Sequence, residues 1–349
     1  MNNNRLKFID MAKGVGIILV LFGHLIYTNT YVLVWISAFH MPVFFVLSGI
    51  TLRLGTKTEE DVKGRISKKA RALLIPYMWF SVIYFVVDIG NLYLSKITMK
   101  EFINNALASI TFSGKSVMWF VTALFFSQVI LISLQSKLRD TYVIIVVAVL
   151  AAAGCLCAPL IRQGYENYTG SVLMTALLNF PKILARTAIV TPFTAAGYYG
   201  KKWYSSRAEV ILNKPVRALI GILCMVLCVV IALTNWSVDT NNMILNNPLL
   251  YYIGGFSGSI SVIALCSVLP AVKPLEIIGK YSLVIMAVHL DLYVLWAGLQ
   301  VGEIAYSLCG ITQVLTVVTV ICTLILGCVA GFVIERFFPF ILGRKRQVV

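Results

Sequence analysis

The stretch GVGIILVLFGHL, residues 14–25, is an apolar run with a histidine near its end and Lys13 immediately before it. Either side chain is costly in hydrocarbon, yet the run has the composition of a membrane span. The rest of the chain repeats that composition. Of 349 residues, 59% are hydrophobic and 12% charged, and the mean hydropathy is +0.89. So few charges cannot cover the apolar surface of a water-soluble fold of this size. The sequence therefore predicts an all-α, polytopic integral membrane bundle with the lipid bilayer as its first partner. A formal charge of +15 in a soluble protein would suggest nucleic acid. Here topology accounts for it, and no nucleic-acid partner is expected.

About ten runs have span length, near 12–28, 31–53, 72–94, 117–136, 141–161, 183–200, 216–234, 248–269, 281–299 and 311–334. The sixth is the weakest, with Lys182 and Arg186 at its start and Pro192 inside it. The residues before it, 172–181, suit an interfacial or re-entrant segment. Loops on one side carry most of the basic residues, including Arg5, Lys7, the segment RLGTKTEEDVKGRISKKAR (53–71), Lys201, Lys202, Lys273, Lys280 and Arg336. Loops on the other side hold Lys96, Lys100, Lys115 and Arg162. By the positive-inside rule both termini are cytoplasmic in a multi-pass protein of the cell membrane. No small-residue cleavage site follows His24, so the first run reads as an uncleaved span. Residues 1–349 are expected to form a single transmembrane domain with no fused soluble domain. Eight cysteines fall almost entirely within the runs, as small buried hydrophobes do. Without a Cys/His cluster of ligand spacing, no metal is expected.

All three histidines, His24, His40 and His289, fall inside predicted spans. One such histidine is as readily packing glue as a functional group, but three out of three favour function. Lys13 and His24 are eleven residues apart, close to three turns, so they share a helix face roughly 16 Å long. Lys13 lies at the cytoplasmic end and His24 toward the outer half, with Asp10 one turn before Lys13 as a possible partner. In SAFHMPVFFVLSG, residues 37–49, Pro42 is expected to kink the helix and aim His40 at the bundle centre. In GKYSLVIMAVHLDLY, residues 279–293, His289 sits near mid-membrane, and Asp291 lies on another face of the same helix.

An imidazole exchanges a proton near neutral pH, which acylation of a hydroxyl requires. A basic cytoplasmic loop such as 53–71 suits an anionic donor such as coenzyme A. Tyr165, Tyr168 and Trp236, read as outer-loop residues, suit stacking on a sugar ring or anchoring at the interface. A transporter or flippase of a polar, lipid-linked glycan is the competing reading, although no internal repeat of the kind common in transporters is found.

At these residues the chain resembles a known family, membrane acyltransferase family 3, and within it the branch similar to fucose 4-O-acetylases. IDMAKGVGIILVLFGH (9–24) resembles the family's first-helix motif, with its basic residue and histidine filled by Lys13 and His24. FHMPVFFVLSG (39–49), KKARALLIPY (68–77), MWFVTALFF (118–126) and YSLVIMAVH (281–289) resemble further motifs in order, with Val121 where leucine is usual. The resemblance implies transfer of an acyl group, usually acetyl, from cytoplasmic acyl-CoA to a hydroxyl of a sugar, glycan or cell-envelope polysaccharide. Acyl-CoA is then a donor substrate, and no permanently bound cofactor is implied. His24 would be the essential base or transient acyl carrier and His40 would orient the reacting group. Lys13 and Arg71 would bind the donor, with Asp10 and His289 supporting. Many relatives carry a fused extracytoplasmic hydrolase-like domain. Because this chain stops at Val349, handover to such a domain would need a separate transferase partner.

Overall fold

The computed structural model describes residues 7–25, 29–54, 61–168, 171–211, 213–236 and 238–344, and of residues 54, 168 and 201–211 the backbone alone. Helix follows helix: α1 (Lys7–Gly23), α2 (Thr30–Leu54), α3 (Val62–Tyr93), α4 (Met99–Ile110), α5 (Trp119–Lys137), α6 (Asp140–Tyr168) and α7 (Val172–Ile211). The second half adds α8 (Lys214–Asn235), α9 (Pro248–Val268), α10 (Lys273–Lys280), α11 (Ser282–Val288), α12 (Val294–Cys309) and α13 (Thr312–Phe337). No strand occurs among the described residues, so the fold is all-α, as its composition requires. Polar caps start the helices where the sequence leaves the apolar runs. Asp61 accepts from the Gly64 amide at 2.8 Å ahead of α3. Asn213 and Asn247 cap α8 and α9, each followed within two residues by a proline in the first turn.

Eight helical stretches are long and apolar enough to cross a bilayer. The two expected spans outside that set are the first and the ninth. α1 has 17 residues, about 26 Å of helix. The ninth run, 281–299, is not one helix: α11 ends at Val288 and α12 begins at Val294. Between them Tyr293 takes a left-handed conformation, φ 60° and ψ 16°, and the Leu295 amide reaches back to the His289 carbonyl at 2.8 Å. Mean hydropathy does not register this break, because the apolar residues on both sides outweigh His289 and Asp291. The sixth run differs in the opposite sense. Residues 172–181 are part of α7, which continues through Pro181 and Pro192 rather than forming a re-entrant segment. Beside Pro192 the Thr191 hydroxyl donates to the Thr187 carbonyl at 2.6 Å, a side-chain bond in the turn ahead of the proline.

The chain divides into two compact units, each assembled from separate segments. The first comprises Met1–Arg53, Ala196–Asp239 and Leu245–Phe332. In it α1 crosses α10 with the backbones in contact. A Cβ at Gly14 would run into the Leu275 carbonyl oxygen, and one at Gly279 into that of Asp10. With lipid on the outside, helices gain little from hydrophobic burial and associate through such close approaches. Gly298 and Gly302 of α12, four residues apart, give the same contact against Thr319 and Thr323 of α13.

The second unit comprises Leu54–Ala195, Thr240–Ile244 and Val333–Val349. Here α3 packs against α5, α4 and the short turn Pro339–Leu342, with Trp79 edge-on to Phe340 at 5.1 Å. Among its described residues one arginine is deeply buried, Arg186 (3% exposed), and it is satisfied mainly by neutral groups. It donates to the Ser113 carbonyl at 2.8 Å and to the Asn241 carbonyl and side-chain oxygen at 2.6 Å each. Its guanidinium also lies 5.6 Å from the Trp119 ring centroid.

Candidate active site

The three histidines all belong to the first unit, and two of them touch. The rings of His24 and His289 are 5.1 Å apart between centroids and inclined at 46°. The elements that hold them are the two that fall short of span length. His24 lies one residue past the end of α1, not inside a span, and its amide closes a tight last turn on the Leu21 carbonyl at 3.2 Å. His289 occupies the end of α11, where helical carbonyls run out of amide partners.

His289 supplies one such partner itself. Its Nδ1 lies 2.7 Å from the Met286 carbonyl and 3.2 Å from that of Ile285. Carbonyls only accept, so Nδ1 carries the proton and Nε2 keeps the lone pair. That Nε2 is buried with no hydrogen-bond partner among the described residues, in a side chain of 0% exposure. His24, in contrast, is exposed. The pair therefore comprises a fixed inner imidazole with a defined tautomer and an accessible outer one.

His40 shows the same device on α2. Its Nδ1 donates to the Ile36 carbonyl at 2.8 Å, which leaves Nε2 as the basic nitrogen. α2 remains one helix through Pro42, and His40 stays half-buried within electrostatic range of His24. A carboxylate completes the cluster: Asp239 interacts electrostatically with both His24 and His40. It sits in the connection between α8 and α9, which is tied down on two sides. The Val238 amide donates to the Ser37 hydroxyl of α2 at 3.4 Å. At the other end Asn235 donates to the Leu245 carbonyl at 3.0 Å and accepts from the Asn247 amide at 2.9 Å.

Sequence reading passed over Asp239 because a lone acid in a polar loop looks like a solvated one. One signal was present: it is the only carboxylate between Glu209 and Glu276. The turn that orients His289, expected from sequence as a supporting residue, is invisible to hydropathy.

The remaining sequence candidates are distributed as follows. Lys13 is half-buried and Asp10 buried, both on α1 and both engaged with neighbours in the protein. The Asp10 carbonyl is the one that meets Gly279. Arg71 belongs to the second unit, exposed on α3, with its own carbonyl against Gly343. Of the basic loop, residues 55–60 lie outside the described residues. Arg53 donates to the Tyr198 hydroxyl at 3.2 Å. Tyr165 is not a loop residue. It lies on α6 with the Lys182 ammonium 4.4 Å from its ring centroid and its hydroxyl on Asn179, so that face is taken. Trp236 stands edge-on to Tyr31 at 6.0 Å, and the Tyr168 side chain lies outside the described residues.

No solved structure matches this chain. Nodulation protein NolL of Mesorhizobium japonicum is 28% identical over 182 residues, covering 48% of this chain and 47% of that protein. The match thus spans about half the length of each. The profile described as "Acyltransferase domain" matches residues 6–336, from the start of α1 to the end of α13. That match, over nearly the whole of an all-helical chain with eight helices long and apolar enough to cross a bilayer, makes this chain a member of acyltransferase family 3.

Proposed function

We propose that the protein transfers an acyl group, acetyl in the first instance, from cytoplasmic acyl-CoA to a hydroxyl of a sugar or glycan. The observation that carries this reading is the His24–His289 contact: an accessible imidazole against a buried one whose free nitrogen is set by backbone carbonyls. In the reaction His24 accepts the proton of the acceptor hydroxyl as its oxygen bonds to the thioester carbonyl carbon. The carbon–sulfur bond then breaks, and the proton passes from His24 to the departing thiolate, leaving free CoA and the ester. Asp239 favours the transient imidazolium on His24, and the Nε2 lone pair of His289 gives the protonated ring an acceptor. His40 orients the acceptor.

Lys13, on the same helix roughly 16 Å from His24, meets the phosphates of the donor, and Arg71 adds a second donor contact. The surplus of basic residues in one set of loops supports a cytoplasmic side for both termini and for this donor end. Release of the ester to a separate extracytoplasmic transferase remains compatible with this arrangement.

The experiment is acyl-CoA turnover by the purified protein in nanodiscs, with a panel of acyl donors and glycan acceptors. Wild type consumes donor and forms ester, and His24→Ala does neither. If neither protein consumes any acyl-CoA while both move glycan across the bilayer, the protein is a transporter and the proposal fails.

A further inference from the structure

The second unit contains a cavity of about 450 Å³ between α3 and α4. Ligand pockets start at roughly this size. One wall is a stripe along α3 that runs from Tyr77 through Val82 and Phe85 to Asp88. Asn105 and Ala106 of α4 line the other wall. From Tyr77 to Asp88 the stripe rises roughly 16 Å, close to the hydrocarbon depth of one bilayer leaflet, about 15 Å.

The two ends of the cavity differ in chemistry. At one end the Lys115 ammonium lies 2.8 Å from Asp88, and Asn105 donates to the other oxygen of that carboxylate at 3.0 Å. Toward the opposite end Val82 and Met78 are 55% and 59% exposed, facing the lipid that would surround α3. Polar groups along the wall are already matched: the Tyr77 hydroxyl donates to the Ser109 carbonyl at 2.7 Å. A sugar or a nucleotide would need unmatched donors and acceptors there, whereas a hydrocarbon chain needs none. The polar end is also the basic one. The connection between α3 and α5 carries Lys96, Lys100 and Lys115, and its one acid, Glu101, is committed to the Thr98 cap. Lys115 is held by Asp88, and the exposed Lys96 and Lys100 complement a phosphate at the interface.

We propose that this cavity is a binding site for one hydrocarbon chain of a phospholipid whose phosphate rests at the Lys96–Lys115 connection. The site is separate from the histidine cluster and independent of the reaction assigned to it.

The test uses full-length protein in phosphatidylcholine nanodiscs doped with a phosphatidylglycerol that carries a diazirine in its acyl chain. Cross-links mapped by mass spectrometry are expected at Val82, Phe85 and Ala106 about tenfold above those on Leu219 and Leu223 of α8, which are at least as exposed. Ala106→Trp fills the slot and removes the enrichment, and Ala106→Leu, a smaller change, reduces it. Joint Lys96→Gln and Lys100→Gln replacement lowers it as well. Equal labelling of α3 and α8 overturns the proposal, as does enrichment that survives both Ala106 variants in monodisperse protein. Enrichment unaffected by the lysine changes overturns the assignment of the phosphate.

Discussion

At the scale of single residues, the chemistry rests on which nitrogen of each histidine is free. In His289 and His40 a backbone carbonyl holds Nδ1, so neither ring can switch tautomer without breaking that bond. Only His24 is accessible and without such a tether among the described residues. Removing it is expected to be severe: His24→Ala should lower kcat about 100-fold or more. His289→Ala should cost about as much, by taking away both the neighbouring ring and the partner of the Met286 carbonyl. Asp239→Asn keeps the shape and loses the charge, so about a tenfold fall in kcat is expected with little change in KM for acyl-CoA. Steady-state kinetics of the three variants check this order. An Asp239→Asn enzyme as inactive as His24→Ala would make Asp239 a primary catalytic group rather than an electrostatic aid.

At the scale of elements, close backbone contact fixes where the histidine helices end. Gly279 faces the Asp10 carbonyl across the α1–α10 crossing. A methyl there forces two backbones apart, and overpacking of this kind costs about 1–3 kcal/mol. Gly279→Ala should therefore lower the Tm in detergent by several degrees, measurably more than Gly90→Ala, where nothing stands within 4 Å. On α4 the Thr98 amide and hydroxyl both donate to Glu101, at 2.7 and 2.9 Å. These bonds hold the Glu101 carboxyl below its ordinary value of 4.5. A carboxyl depressed in the folded state stabilises above its unfolded pKa and loses that contribution as pH falls through the folded one. Amide exchange in α4 should accelerate on acidification beyond the intrinsic pH dependence, and the extra acceleration should disappear in Glu101→Gln.

The element scale also shows how far sequence reaches. Eight of the ten expected runs match long helices, because burial of a whole span leaves an unmistakable mean hydropathy. HLDLY (289–293) was taken for helix because its turn depends on a left-handed Tyr293 and an imidazole bonded to its own helix end. Neither is written in residue polarity. Gly14 and Gly16 were read only as apolar filler. Gly14 is where α10 approaches, and the Gly16 position meets the Phe44 ring of α2.

At the scale of the whole molecule, charge distribution carries the orientation. The basic residues favour one set of connections strongly enough that both termini should lie on a single side. Epitope tags at each end, probed in intact and permeabilised cells, are both expected to react only after permeabilisation. A tag that reacts in intact cells would reverse the assignment of Lys13 to the donor side. The candidate residues themselves were legible to different degrees for the same reason. His24, His40 and Lys13 stand out as polar groups in apolar runs. Asp239 gains significance only when the chain brings residues 24, 40 and 239 together.

The shortness of α1 has a further consequence. Its described part, at about 26 Å, falls some 4 Å below the hydrocarbon thickness of an average bilayer. Lipids around it must compress to meet its ends, at a fraction of a kcal/mol for each ångström. Thinning of that kind would bring the two aqueous phases nearer to one another beside His24. A small acyl group would have its shortest crossing at that waist, and thicker membranes would slow the enzyme without touching any residue of it.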